Sequence, residues 1–281
     1  MQIREYSLPA GWFPRDANSV SGFLSEFKHG KKGLFSCQAA IAPHAGWYYC
    51  GKIAAIAFAS LKPQADTIII LGGHLPAEKQ ALFAMEDALR TPFGQMSIDN
   101  DLRALLIKEL GGKEDCYRDN TVEVLLPMAH YFFPNAKVLW LRLPADIKSY
   151  EYGKIISKTA VKLGRDINVI ASADLTHYGR NYGFSPKGTG SKALDWVRDV
   201  NDAAFIKAVE SGDAKKTLFR AEKDFSSCSP GAVLGVMGFA HEKGLGNAKL
   251  LEYSTSADID KETSISVPDS FVGYAAMAFG V

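Results

Sequence analysis

Two histidines stand thirty residues apart, each directly behind an apolar run of strand length. His44 lies in Ala42-Pro43-His44-Ala45-Gly46-Trp47, after Cys37–Ala42, and His74 lies in Gly72-Gly73-His74-Leu75-Pro76, after Thr67–Leu71. Open α/β sheets bind ligands beyond the carboxyl ends of their strands, which is where both imidazoles would stand. The spacing fits one right-handed β-α-β unit with neighbouring strands about 4.8 Å apart, so the two rings could share one metal ion. A single histidine in such a turn more often makes a local hydrogen bond. It is the equivalence of the two positions that points to function.

A third apolar run, Asn168–Ala173, leads into Asp174-Leu175-Thr176-His177. In a tight turn Asp174 would orient the His177 imidazole, or both would face one substrate; the plainer alternative is a turn cap at Asp174 and a surface histidine at 177. Cys228, in Ser226-Ser227-Cys228-Ser229-Pro230, precedes a helical run for which Ser229 is the expected N-cap and Pro230 the first residue. The macrodipole there favours the thiolate. Burial in the core is the commoner fate of a free cysteine and is the expectation for Cys37, Cys50 and Cys116. Glu123, three residues behind Asn120, reads equally as half of a capping box and as a carboxylate supporting a metal site. His29, His130 and His241 lie on lysine-flanked or aromatic helical surfaces and are given no role.

The elements that must carry these groups alternate. Strand-like runs at Cys37–Ala42, Thr67–Leu71, Lys137–Leu143, Asn168–Ala173, Lys249–Tyr253 and Val272–Phe279 are rich in Ile, Val and Leu, as strands buried on both faces are. Helical patterns lie between them at Cys50–Leu61, Asp99–Leu110, Thr121–Phe132, Tyr150–Leu163, Ser191–Glu210 and Pro230–Lys243. The alternation predicts a layered α/β fold. No linker or repeat divides the chain, so one domain over residues 1–281 is expected, with Ser266–Val281 forming a final strand that completes the sheet.

Charge and cysteine usage narrow the function classes. Lys and Arg number 32 against 31 Asp and Glu, a formal +1, and no basic run stands out, which argues against nucleic acid or an anionic membrane as partner. The four cysteines are widely spaced, as reduced thiols of a cytoplasmic protein are. No signal-peptide pattern is seen at the start, and no apolar stretch approaches the roughly 20 residues that cross a bilayer. Gly188-Thr189-Gly190 is not a dinucleotide fingerprint, and neither a P-loop nor a G-x-S-x-G elbow is present.

In these segments the sequence resembles the Memo family, also called AmmeMemoRadiSam system protein B, which is related to class III extradiol ring-cleavage dioxygenases. The resemblance starts at Pro9-Ala10-Gly11-Trp12-Phe13-Pro14 and continues through Pro43-His44-Ala45-Gly46, Gly72-Gly73-His74, Thr91-Pro92-Phe93-Gly94, Glu123–Pro127, Ser172–Gly179 and Cys228. It implies an α/β/α layered fold around a mostly parallel or mixed sheet of the class III extradiol dioxygenase type. It also implies a metal cluster of His44, His74 and Cys228, with Asp174 and His177 beside it as catalytic groups. Iron or copper redox chemistry on a small molecule follows from that resemblance. A thiolate in place of the relatives' carboxylate softens the site toward copper(I) or zinc. The alternatives are a non-catalytic binding or assembly module acting with radical-SAM and AMMECR-type proteins, or metal-free hydrolysis with Cys228 as nucleophile and His177 as base. Two positions depart from the family pattern: Asn120 stands for a histidine, and Gly73 for the Asn or Ser before the second histidine.

Overall fold

The run Thr-Ile-Ile-Ile-Leu lies at the centre of the molecule. In the computed structural model, which describes residues 1–28, 37–261 and 267–280, it opens a strand, Thr67–Leu75, in which every residue but His74 is buried. The strands in chain order are β1 (Ile3–Arg4), β2 (Ala39–Ala42), β3 (Thr67–Leu75), β4 (Leu82–Phe83), β5 (Ala88–Thr91), β6 (Gly94–Ser97), β7 (Lys113–Glu114), β8 (Lys137–Pro144), β9 (Ile167–Ser172), β10 (His177–Gly179), β11 (Ala248–Thr255) and β12 (Ser270–Phe279). Nine of them form one sheet in the order β10-β12-β2-β9-β3-β8-β4-β7, with β11 paired to β12, and β1, β5 and β6 form a separate small sheet.

The central sheet is mixed. The inner strands β2, β9, β3 and β8 are parallel, whereas β12 runs antiparallel to β2 and β4 antiparallel to β8. The helix Trp47–Ser60 lies against β2, β11 and β12, and the helix Pro230–Lys243 crosses β2, β9, β3 and β8. Strands covered in this way need no polar face, hence the continuous apolar runs. The edge strand β11 is the exception: its middle is half-exposed, against the expectation for Lys249–Tyr253, because among the described residues only β12 pairs with it.

One expectation about topology is corrected. β2 and β3 are not neighbours, since β9 lies between them, paired in parallel with both. The ends of three consecutive strands therefore carry His44, Asp174 and His74.

Two expected helices are interrupted. Thr121–Phe132 divides into Asn120–Glu123 and Leu126–Phe132 at Pro127, which has no N–H to continue the ladder and instead opens the second helix. Ser191–Glu210 contains a π-helical turn, Val197–Asp202, that brings the buried side chains of Asn201 and Asp202 to Thr176. Cys116 is exposed rather than packed, because the neighbouring Asp115 takes the buried position and accepts from the Trp140 indole N–H. His29 and Ser266 lie outside the described residues. Among the described residues no helix is long and apolar enough to cross a membrane.

The helix Pro230–Lys243 approaches the sheet closely. A Cβ on Gly231 would lie 2.1 Å from the Pro144 carbonyl oxygen at the end of β8. That approach, open only to glycine, sets the helix N-terminus and the preceding Cys228 over the strand ends.

Candidate metal centre

His44 is held on three sides. Its backbone N–H donates to Asp174 Oδ1 at 2.7 Å, its carbonyl accepts from Asn120 Nδ2 at 3.0 Å, and its Nδ1 lies 2.9 Å from Ser172 Oγ. Those contacts leave Nε2 facing Cys228 Sγ at 3.2 Å. Burial disfavours the His44 imidazolium, but the Asp174 carboxylate and Cys228 outweigh it and raise its pKa.

His74 reaches the same point from β3. Its backbone is in the left-handed region, φ +55°, where β3 loses its register with β8 between Gly72 and Leu75. Its Nδ1 meets Asp119 Oδ2 at 3.0 Å, and its ring stands edge-on to that of His44 with centroids 4.9 Å apart. Asp119 is also the N-cap of the helix Asn120–Glu123, accepting from Thr121 N–H. Burial opposes the charged form of each partner, yet the pairing overcomes it, raising the pKa of His74 and lowering that of Asp119.

Cys228 completes the group. Its N–H donates to the Asp174 carbonyl at 3.2 Å, and Ser229 Oγ lies 3.5 Å from its Sγ. Ser229 and Pro230 take the N-cap and first helical positions. Desolvation works against the thiolate, but the two imidazoles draw the pKa well below that of a free thiol. Cys50, by contrast, is buried with its Sγ against the Ala45 carbonyl, and burial pushes its thiol up.

Asp174 and His177 do not pair as the sequence suggested. Leu175 N–H donates to the Gly273 carbonyl and Gly273 N–H to the Thr176 carbonyl, so the chain crosses to β12 and His177 opens a new strand. Asp174 turns to His44, while His177 Nδ1 donates to the Leu175 carbonyl at 3.2 Å and its ring packs on Tyr182. Both residues still line one cleft of about 670 Å³ with His44 and His74, walled by Trp12, Tyr49, Tyr182 and Tyr274.

Glu123 has neither of its expected roles. Nearly fully buried, it accepts from Ser7 N–H at 2.9 Å, Leu8 N–H at 3.0 Å and the Ser7 hydroxyl, and so anchors the N-terminal segment whose Ala10, Gly11 and Trp12 form one wall of the cleft. Asp119 and Ser172, which hold the outer nitrogens of the two imidazoles, were not singled out in the sequence. The N-cap position of Asp119, two residues before Thr121, is the signal that marks it.

His44, His74 and Cys228 each offer one donor atom, and the three atoms lie within 4.8 Å of one another. An ion bonded at about 2.0 Å to nitrogen and 2.3 Å to sulfur holds such donors roughly 3.5 Å apart. The donor set and spacing therefore fit a metal ion, and the outer imidazole nitrogens are already committed to protein partners, as in ligating histidines.

A mixed sheet whose strand ends carry two histidines, met by a cysteine ahead of a covering helix in a group able to hold metal, defines the class of protein. The family described as Memo-like protein matches residues 4–278, and the chain belongs to it. It is 30% identical over 244 residues to a MEMO1 family protein of Methanococcoides burtonii, covering 85% of this chain and 84% of that one. To a MEMO1 family protein of Thermococcus onnurineus it is 26% identical, covering 99% of each. An uncharacterized protein from Escherichia coli K12 shares the fold, with a TM-score of 0.50 and 13% identity over 85% of this chain and 98% of that one.

Proposed function

We propose that His44, His74 and Cys228 hold a copper or iron ion and that a small molecule binds beside it in the cleft for redox chemistry related to that of ring-cleaving dioxygenases. The observation that carries this reading is the meeting of two imidazole nitrogens and one thiol at a single point bordering the cleft. Such an ion, when bound, supplies one-electron chemistry and Lewis acidity. The chain's own residues supply the rest. Cys228 presents a thiolate, the form that ligates. Ser172 and Asp119 hold Nδ1 of the two histidines and leave Nε2 for the ion. His177 donates from Nδ1 to a carbonyl, which can only accept, so Nε2 is the ring nitrogen left to exchange a proton with a bound molecule.

The test is anaerobic titration with copper(I) and iron(II) under reducing conditions. Cys228→Ser is expected to weaken copper(I) binding by tenfold or more with a smaller effect on iron(II), and Cys228→Asp to shift preference toward iron(II). His44→Ala should weaken both. Equal binding by wild type, Cys228→Ser and His44→Ala would refute this reading and favour a binding module without metal.

A further inference from the structure

The β3 ladder breaks at the residue that carries the second imidazole. Between Gly72, paired with Arg142 of β8, and Leu75, paired with Pro144, the register shifts, and His74 takes its left-handed backbone inside that irregularity. Carbonyls that leave a ladder in the interior need other donors. Arg142 supplies them. Its Nε donates to the Gly73 carbonyl at 3.0 Å, and one terminal nitrogen lies 3.5 Å from the His74 carbonyl.

The same guanidinium also reaches the His74 ring through a carboxylate. Asp119 Oδ2 lies 3.3 Å from the Arg142 terminal nitrogen and 3.0 Å from His74 Nδ1. The other terminal nitrogen meets Asp115 Oδ1 at 3.2 Å, and Asp115 is fixed in turn by the Trp140 indole. Arg142 is 4% exposed. A planar fork with several donors in fixed directions can hold two carbonyls and two carboxylates at once, which a lysine ammonium cannot.

We propose that Arg142 is a positioning residue for His74: its guanidinium builds the bulge in β3 and, through Asp119, fixes the ring so that the imidazole meets Cys228. The proposal rests on the metal reading for its affinity test and is independent of it for its spectroscopic test.

Arg142→Lys keeps the charge and removes the fork. Arg142→Gln combined with Asp115→Asn removes the guanidinium together with its fully buried partner and leaves Asp119 its contact with His74, which guards against a fold lost to an unpaired Asp115 carboxylate. In metal-free protein, long-range proton–nitrogen NMR of the histidine rings should show the His74 nitrogens displaced in both variants, with those of His130 and His241 unmoved. Cobalt(II), used as a spectroscopic probe, should bind 10- to 100-fold more weakly to Arg142→Lys. In a His74→Ala background the same substitution should change cobalt affinity less than twofold, because the effect travels through that ring. Unmoved His74 resonances in Arg142→Lys, or an equal affinity loss with and without His74, would overturn the proposal. If wild type binds no cobalt above His44→Ala, the copper and iron titrations still decide the metal reading, and the metal-free NMR result alone then decides for or against the role of Arg142.

Discussion

Asp174 joins two parts of the site that are far apart in sequence: its side chain accepts from the His44 N–H at 2.7 Å while its carbonyl accepts from the Cys228 N–H at 3.2 Å. The end of β9 thus fixes the imidazole behind β2 and the thiol before the helix Pro230–Lys243 relative to one another. Its second carboxylate oxygen, 3.9 Å from His44 Nε2, adds negative charge beside the ring.

Removing that carboxylate should cost both stability and affinity. Asp174→Ala leaves the buried His44 N–H without its acceptor, a loss of roughly 1 to 3 kcal/mol in urea unfolding. Metal affinity is expected to fall 10- to 100-fold. Asp174→Asn keeps an acceptor oxygen and should recover most of the stability but less of the affinity. Identical titrations for wild type and Asp174→Ala would show that the carboxylate does not support the site.

The buried Glu123 gives a prediction at the other wall of the cleft. Without its carboxylate, Ser7 N–H and Leu8 N–H lose their acceptor, so Glu123→Ala should cost roughly 2 to 4 kcal/mol and loosen the N-terminal segment. Limited proteolysis checks this directly. Cleavage within the segment leading to Trp12 should appear early in the variant, and an unchanged cleavage pattern would exclude the anchoring role.

What could be read in the sequence and what could not divide along a physical line. His44, His74 and Asp174 lie at the ends of apolar runs that read as inner strands, and Cys228 precedes a Ser-Pro helix start, so local pattern locates each of them. Their mutual arrangement depends on β9 inserting between β2 and β3, a long-range pairing with no local signature. For the same reason the sequence offers Asp174 its near neighbour His177, a shared substrate or a turn cap, and not His44. β1, β4 and β7 have two residues each, too few to show a period. Glu123 reads equally as a helix cap and as a carboxylate supporting a metal site, because its partners, Ser7 and Leu8, are distant in sequence.

Asp202 provides a pH test remote from the proposed ligands. Fully enclosed, it accepts from Thr176 N–H at 3.1 Å and Tyr253 Oη at 2.7 Å, and burial outweighs these bonds to raise its pKa to about 6. The folded state thus holds a proton that the unfolded chain releases near pH 4. Between those values the folded form binds more protons, so stability falls as pH rises and levels off above about 6. The gap corresponds to roughly 3 kcal/mol. Asp202→Asn lacks this titration, so its stability relative to wild type should rise by up to that amount from pH 4 to pH 7. Parallel stability curves for the two proteins would show that Asp202 ionises normally.

Gly73, beside the second imidazole, is confined by the loop that carries the thiol. A Cβ there would stand 2.3 Å from Ser229 Cβ and 2.7 Å from Ser229 Cα, closer than carbon atoms approach without displacement. In this chain the Ser229 side chain fills the space that a larger residue at 73 would need. Gly73→Ala should therefore push His74 and Cys228 apart, destabilising the fold by about 1 to 3 kcal/mol and weakening metal binding with it. Ser229→Gly removes the Cβ and hydroxyl but not the Cα, so the double variant is expected to recover part of both losses. A double-mutant cycle on unfolding and on cobalt affinity measures the coupling. Additive effects in both would mean that the two positions do not compete for one space and that Gly73 is retained for another reason.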